Sequence, residues 1–378
     1  MARVQEVDAL RSFALVGIAL SNFPILAKSV DALMAMPVGW ADTLTLAALE
    51  VFVSGKFFVL FSFLFGWGMG EQLASAARQG LDPSGPFLRR LAGLGLIGIA
   101  HALLVFQGDI LVLYALLGLV LWSLRGASPR RLLQLAAGGV ALSLPGYLLL
   151  GYGIAEELAH VPVAPQPSGF TGGFVDAVVQ RAREWPVAIG FVLLFNGPLA
   201  LSAFFAGLAS HRLQLFHRGN PLWARLTRAV PWLLVVGLVT NIAHTASYAA
   251  MLDADAPRWA PMVGFALLTV GAPTLGAVYL WGVVEACRRW RIPHWLTTPG
   301  SMSGSVYVGQ GILGGLIFYG YGAGLYNQLP EYGIAAAALA VTLVLFMFAN
   351  LWTRWLGQGP LERVLRAITR WGGSESRS

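Results

Sequence analysis

Residues 57–70 read Phe57-Phe58-Val59-Leu60-Phe61-Ser62-Phe63-Leu64-Phe65-Gly66-Trp67-Gly68-Met69-Gly70. No charge interrupts this run. Continued to residue 76, with Glu71 as its one charged group, it reaches the roughly 20 residues a helix needs to cross the hydrocarbon of a bilayer. Segments of the same kind recur on both sides of it, at 12–27, 87–106, 110–124, 132–152, 185–209, 229–251, 261–286, 303–320 and 332–352. Together with 57–76 they predict an all-α integral membrane protein of ten transmembrane helices. The composition agrees: 57% of the residues are hydrophobic and 11% charged, against about 45–50% and about 25% in soluble domains. A water-soluble α/β enzyme of this length is thereby excluded. Residues 42–54 are helical in pattern but too short to span alone. They are expected to form one short extra helix on the outer side, lying along the surface, re-entrant, or extending the second span.

The charges between the apolar runs set the topology. Of the 25 basic residues 23 are Arg, spread over short joints with no continuous basic stripe, which argues against nucleic acid as a partner. With the amino terminus inside, 20 basic residues fall on the cytoplasmic side, and Lys28, Arg181, Arg183 and Arg258 fall outside. This is the positive-inside asymmetry. Its parity requires an even number of spans, so both termini are expected in the cytoplasm and the protein in the bacterial inner membrane. Glu6, Asp8 and Arg11 interrupt the amino end, so the first apolar segment is expected to be retained as a span. The whole chain, 1–378, reads as one transmembrane domain with an outer loop at 153–184 and a disordered tail at 372–378. The single cysteine, Cys287, excludes a disulfide framework, and no metal is expected.

Ionisable side chains within hydrocarbon are costly and mark function by default. His101 lies eleven residues past Arg90, roughly 16 Å of helix rise, in the outer half of its span. Asp109 opens the next span after Gln107-Gly108, so a tight hairpin brings a carboxylate near an imidazole, the pairing of an acid–base catalyst. The alternative makes His101 a buried interhelical hydrogen-bond donor and Asp109 a helix N-cap. Lys56 starts the second span on the outer side, as a snorkelling lysine or as the partner of Glu50, Asp42 or Asp109. His244 and Asn22 fall in the outer halves of their spans, as substrate contacts or as interhelical glue. On the inner side Arg11 could pair with Glu71. Arg89, Arg90, Arg288 and Arg289 form basic joints that suit anionic lipid headgroups or the phosphates of an acyl-CoA.

Four stretches together resemble the YeiB-like group of bacterial multi-pass membrane proteins, a family defined by a domain of unknown function. They are Asp8-Ala9-Leu10-Arg11-Ser12-Phe13 leading to Asn22, Gly55-Lys56-Phe57-Phe58 leading to Gly66-Trp67-Gly68, His101 through Gly108-Asp109-Ile110-Leu111 to Tyr114 and Gly118, and Gly359-Pro360-Leu361-Glu362 followed by Arg366. The segment from Met302 through Tyr307 to Gln310 is similar to a further family stretch, with Ser301, Ser305 and Val306 replacing its Arg, Thr and Asn. The family distantly resembles membrane acyltransferases such as heparan-glucosaminide N-acetyltransferase. That resemblance implies a two-sided site, with acetyl-CoA or another acyl-CoA bound on the cytoplasmic face and an acceptor reached from outside. Leu33 stands where those enzymes carry a histidine, so a base in this chain must be another residue.

The resulting expectation is an acyltransferase in which His101 removes the acceptor's proton and Asp109 orients the imidazole. Asn22, Lys56, His244, Tyr307 and Gln310 would contact the substrate, and Arg11, Arg89, Arg90, Arg288 and Arg289 the donor. Membrane lipids, a small-molecule, lipid or glycan acceptor and a second copy of the chain in a homodimer are the expected partners. The rival expectation is a transporter or exporter of a small metabolite, with the same residues lining a proton-linked path.

Overall fold

The computed structural model describes residues 5–35, 37–158, 168–250, 257 and 259–371. The tail at 372–378 and the centre of the 153–184 connection lie outside the described residues. In chain order the helices are α1 (Gln5–Ala27), α2 (Val30–Leu33), α3 (Trp40–Phe52), α4 (Lys56–Arg78), α5 (Ser84–Leu104), α6 (Leu111–Ser123), α7 (Pro129–Leu158), α8 (Phe174–Phe191) and α9 (Gly197–Arg212). They continue with α10 (Pro221–Ala250), α11 (Trp259–Arg289), α12 (His294–Thr297), α13 (Ser303–Phe318), α14 (Glu331–Leu356) and α15 (Pro360–Arg370). There is no strand among the described residues. A π-helical turn, Val192–Asn196, joins α8 to α9 into one continuous rod.

Eight helical stretches are long and apolar enough to cross a membrane: Gln5–Ala27, Trp40–Arg78, Ser84–Leu104, Pro129–Glu156, Phe174–Arg212, Pro221–Ser247, Trp259–Arg289 and Glu331–Leu356. The protein is therefore a multi-pass membrane protein. The remaining two predicted spans coincide with α6, of 13 residues, and α13, of 16. Both are short because non-α turns occupy their ends, residues 105–110 before α6 and the 3-10 turn Pro299–Met302 before α13. The predicted loop at 153–184 is also corrected. Residues 153–158 continue α7 and residues 174–184 already belong to α8, because Gly173 and Asp176 form a capping arrangement that starts the helix eleven residues before Trp185. The short helix expected at 42–54 is α3, a separate helix that a turn at Val53-Ser54-Gly55 breaks from α4.

α1 lies at the centre, packed on α4, α11, α13 and α14. Past Arg11 it carries no charge, and most of its residues are buried, the pattern of a helix surrounded by other helices. The periphery is formed by faces such as Trp232, Val235, Val239 and Ile242 of α10 and Leu343, Met347 and Leu351 of α14, all exposed. Apolar surface on this scale suits contact with lipid rather than water. α4 crosses α9 at close range. A Cβ at Gly207 would overlap the Phe63 carbonyl, and one at Gly66 the Phe204 carbonyl, so two glycines let the backbones meet. The stacked rings of Phe65 and Phe204, 4.5 Å apart, seal the same crossing.

Candidate functional site

α5 ends one turn after His101. The amides of Val105 and Phe106 both donate to the His101 carbonyl, at 2.9 and 2.8 Å, and the chain reverses to bring Asp109 back beside the ring. His101 Nδ1 and Asp109 Oδ1 are 2.9 Å apart, while Asp109 Oδ2 accepts the amides of Leu111 at 2.8 Å and Val112 at 3.1 Å. The carboxylate thus accepts the first two amides of α6 while it contacts the imidazole. His101 is 3% exposed and Asp109 1%. A carboxylate can only accept, so the ring proton belongs on Nδ1. Nε2 has no hydrogen-bond partner.

That free nitrogen faces α13. A Cβ at Gly311 would lie 2.9 Å from His101 Nε2 and 2.8 Å from Val105 Cγ1, so glycine there leaves the nitrogen just enough room. Tyr307, one turn earlier on α13, places its ring 5.1 Å from the imidazole, and the Ile110 amide points at its hydroxyl from 3.5 Å. Behind it, Tyr114 and Ser62 share a hydrogen bond of 2.7 Å. The site is therefore a buried His–Asp pair whose Nε2 has no partner, walled by Tyr307, Phe106 and Gly311.

Sequence reasoning missed the side chain that closes the other end. Arg181, counted there only as an outer charge, is fully buried on α8. Its guanidinium donates to the carbonyls of Leu103 and Leu104, both at 2.9 Å, and of Val105 at 3.5 Å. Beside it Gln107 donates to Glu184 at 3.1 Å, and Gln180 donates to the same carboxylate at 2.7 Å. An arginine inside a helix of membrane-crossing length is itself a signal, but it becomes readable only when α8 is seen to begin at Phe174.

The other predicted contacts separate into groups. Lys56 is fully buried and donates to the backbone carbonyl of Glu50 at 2.5 Å. His244 places Nδ1 3.0 Å from the Gly264 carbonyl and Nε2 3.4 Å from the Glu50 carboxylate. Lys56 and His244 therefore meet through Glu50, in a cluster on α3, α4 and α10. Asp42 instead receives the Tyr332 amide at 3.4 Å. Gln310 donates to the Leu15 carbonyl at 3.1 Å and to Thr342 at 3.2 Å, tying α13 to α1 and α14. Asn22 is half-buried on α1.

The arginines predicted on the inner side do not converge on one place. Arg11 pairs with Asp8 at 3.2 Å, whereas Glu71 binds Arg78 at 2.9 Å and His211 at 3.2 Å. Arg89 donates to the Thr369 carbonyl of α15 at 3.1 Å, and Arg90 feels the charges of Arg11 and Glu362. Arg288 donates to the Phe216 carbonyl at 2.9 Å and stacks 4.2 Å over Trp223, and Arg289 pairs with Glu285 at 3.2 Å. α5 packs on α6, α8 and α15, and α11 on α10, α7, α4 and α1, so the two arginine pairs stand on helices that are not packed neighbours. Glu362 accepts the amides of Gly304 and Ser305 at 2.9 and 3.3 Å and the Ser305 hydroxyl at 2.5 Å, while Ser305 Oγ accepts the Leu361 amide at 3.0 Å. α13 and α15 thus cap each other's amino ends, and Ser305 keeps a polar role. A polar cavity of 390 Å³ lies beside Asp176, Gln180 and Arg183, and an apolar one of 240 Å³ between α4, α9 and α11. Neither is lined by His101, Asp109 or the four arginines.

A family model described as "Protein of unknown function (DUF418)" matches residues 210–372, the stretch that carries Tyr307, Gly311 and Glu362. The chain is 29% identical over 396 residues to the uncharacterized protein YxaH of Bacillus subtilis (strain 168), covering 97% of this chain and 94% of that protein. It is 28% identical over 397 residues to the uncharacterized protein YeiB of Escherichia coli (strain K12), covering 98% and 97%. An uncharacterized 39.9 kDa protein of Bacillus acidopullulyticus is 26% identical over 374 residues, covering 97% and 94%. The chain is similar to these YeiB-like proteins, and its residues 210–372 match the DUF418 family model.

Proposed function

We propose that the protein is a membrane-embedded acyltransferase that moves an acyl group from cytosolic acyl-CoA to an acceptor reached from the outer side. The observation that carries this reading is the free Nε2 of His101, opposite an Nδ1 held by Asp109. In the reaction Nε2 takes the proton of the acceptor's hydroxyl or amine, whose oxygen or nitrogen attacks the thioester carbonyl. The carbon–sulfur bond breaks, and the CoA thiolate leaves with the proton returned by the imidazolium. Asp109 keeps the ring in the required tautomer and stabilises its transient charge. Tyr307 and Asn22 hold the acyl carbonyl. Since Nε2 is covered by Gly311 and Val105, α13 must draw away from α5 for substrates to enter. The CoA phosphates sit on the arginine-rich face, either at Arg11, Arg89 and Arg90 or at Arg288 and Arg289.

The same reading adds α6 and α13 to the eight longer helical stretches, giving ten spans with both termini in the cytoplasm of the inner membrane, and allows a homodimer. The 20-to-4 distribution of basic residues supports this orientation. Calorimetric titration of the purified protein with acetyl-CoA tests the donor. Wild type binds, and Arg89→Ala/Arg90→Ala or Arg288→Ala/Arg289→Ala weakens binding, identifying the seat. His101→Ala binds but releases no free CoA with any acceptor. The separate Lys56–Glu50–His244 cluster favours a second reading, a proton-linked exporter. Absence of acyl-CoA binding, together with solute movement in vesicles, would replace the first reading by the second.

A further inference from the structure

Arg181 is a buried cation whose guanidinium donates to the carbonyl oxygens of Leu103, Leu104 and Val105 and lies near the Tyr319 ring. No carboxylate lies within ion-pair distance of it among the described residues. A buried charge without a counter-ion is unfavourable, so something must offset it. The carboxyl end of α5 does so: its last carbonyls lack helical partners, and the helix dipole makes that end negative. The usual left-handed closure is absent, because neither the cap residue Val105 nor Phe106 after it has a positive φ. Arg181 takes its place with a rigid fork that a lysine cannot reproduce.

The consequence falls on the dyad. The three carbonyls lie between His101 and the turn that carries Asp109. Arg181 also sits 5.5 Å from the Tyr319 ring, immediately after α13, the helix whose Gly311 and Tyr307 cover the imidazole. One side chain therefore contacts both elements that enclose the ring. Charged or titratable groups facing the ring are Asp109 from the hairpin and Tyr307 from α13, with Tyr114 behind Tyr307. Arg181 and Glu184 reach the hairpin from α8.

We propose that Arg181 is a positioning residue for the His101–Asp109 pair, holding the α5 end and the 105–110 turn so that Nδ1 faces Asp109 and Nε2 stays unpaired. This rests on reading His101 as the base, but it concerns the ring itself and is tested without any turnover. The measurement is 15N NMR of histidine-labelled protein in lipid nanodiscs near pH 8, with the His101 signals identified by their loss in His101→Gln. Wild type should show a single neutral tautomer protonated on Nδ1. In Arg181→Gln the Nε2–H tautomer should rise from about one in ten or fewer to about one in three, with an intermediate value in Arg181→Lys. An Arg181→Gln protein that is less stable but keeps the pure Nδ1–H ring would show a helix cap and nothing more, overturning the proposal. Should Arg181→Gln fail to fold, Arg181→Lys decides: a mixed tautomer upholds the proposal and a wild-type spectrum overturns it. An Nε2–H ring in wild type would overturn it as well. Absence of acyl transfer in wild type would remove the enzyme reading and leave the tautomer result standing.

Discussion

Substitution of Asp109 separates its two tasks. Alanine would strip the acceptor from three donors, His101 Nδ1 and the amides of Leu111 and Val112, in a site that is 1% exposed at Asp109. A lost hydrogen bond to a charged group costs about 1.5–3 kcal/mol and a buried donor left unpaired about 1–3 kcal/mol. Because the three share one carboxylate and partly relax together, the sum for Asp109→Ala is about 3–5 kcal/mol. Asparagine caps a helix as well as aspartate does, so in Asp109→Asn the side-chain oxygen keeps both amides and the NH2 group turns to the ring. His101 must then move its proton to Nε2, where no acceptor waits. All three bonds persist but lose the carboxylate's charge, about 1–2 kcal/mol in all, and the unprotonated Nε2 is lost with it. SDS titration of the protein in mixed micelles, followed by tryptophan fluorescence, reads both values. Equal losses for the two variants, or less than about 1 kcal/mol for Asp109→Ala, would refute the assignment of two tasks to one carboxylate.

Gly207→Val should separate α4 from α9, because its side chain would enter the space of the Phe63 carbonyl; a loss of about 3 kcal/mol or more in the same titration is expected, and a neutral result would mean the crossing is looser than described. Reporter fusions after Arg131, Arg291 and Arg370 should read cytoplasm and one at Gly173 the outer side, and the reverse pattern would exchange the donor and acceptor faces.

Much of the fold is legible because hydrocarbon-crossing helices must be long and apolar, so the spans stand out as runs between arginines. The His101–Asp109 contact is legible for a related reason: a short joint between two such runs fixes a hairpin, and a hairpin fixes which residues meet. Contacts between helices distant in sequence are not readable this way. Nothing local tells that Arg181 will find carbonyls on α5, that Lys56 and His244 will converge on Glu50, or that Glu362 will cap α13. The inner arginines illustrate the limit best. Their common side of the membrane follows from charge counting, but which pairs share a neighbourhood depends on helix packing order. Helix starts were obscured as well: α8 begins in a Gly-Gly segment whose capping by Asp176 is a local signal, masked by the absence of an apolar run before Trp185.

The central position of α1 has a consequence for synthesis. Its fixed bonds reach far along the chain: Ser12 accepts the Gly300 amide at 2.7 Å, the Leu15 carbonyl accepts from Gln310 at 3.1 Å, and Lys28, just past its end, meets Glu331 at 2.5 Å. Each of these partners is separated from α1 by 288 to 303 residues, which at about 5–20 residues per second takes roughly 15–60 s to translate. For that interval Ser12 and Lys28 wait without these partners, and a chain terminated before α13 would leave them so permanently. The bonding of α1 therefore reports whether synthesis has passed α13.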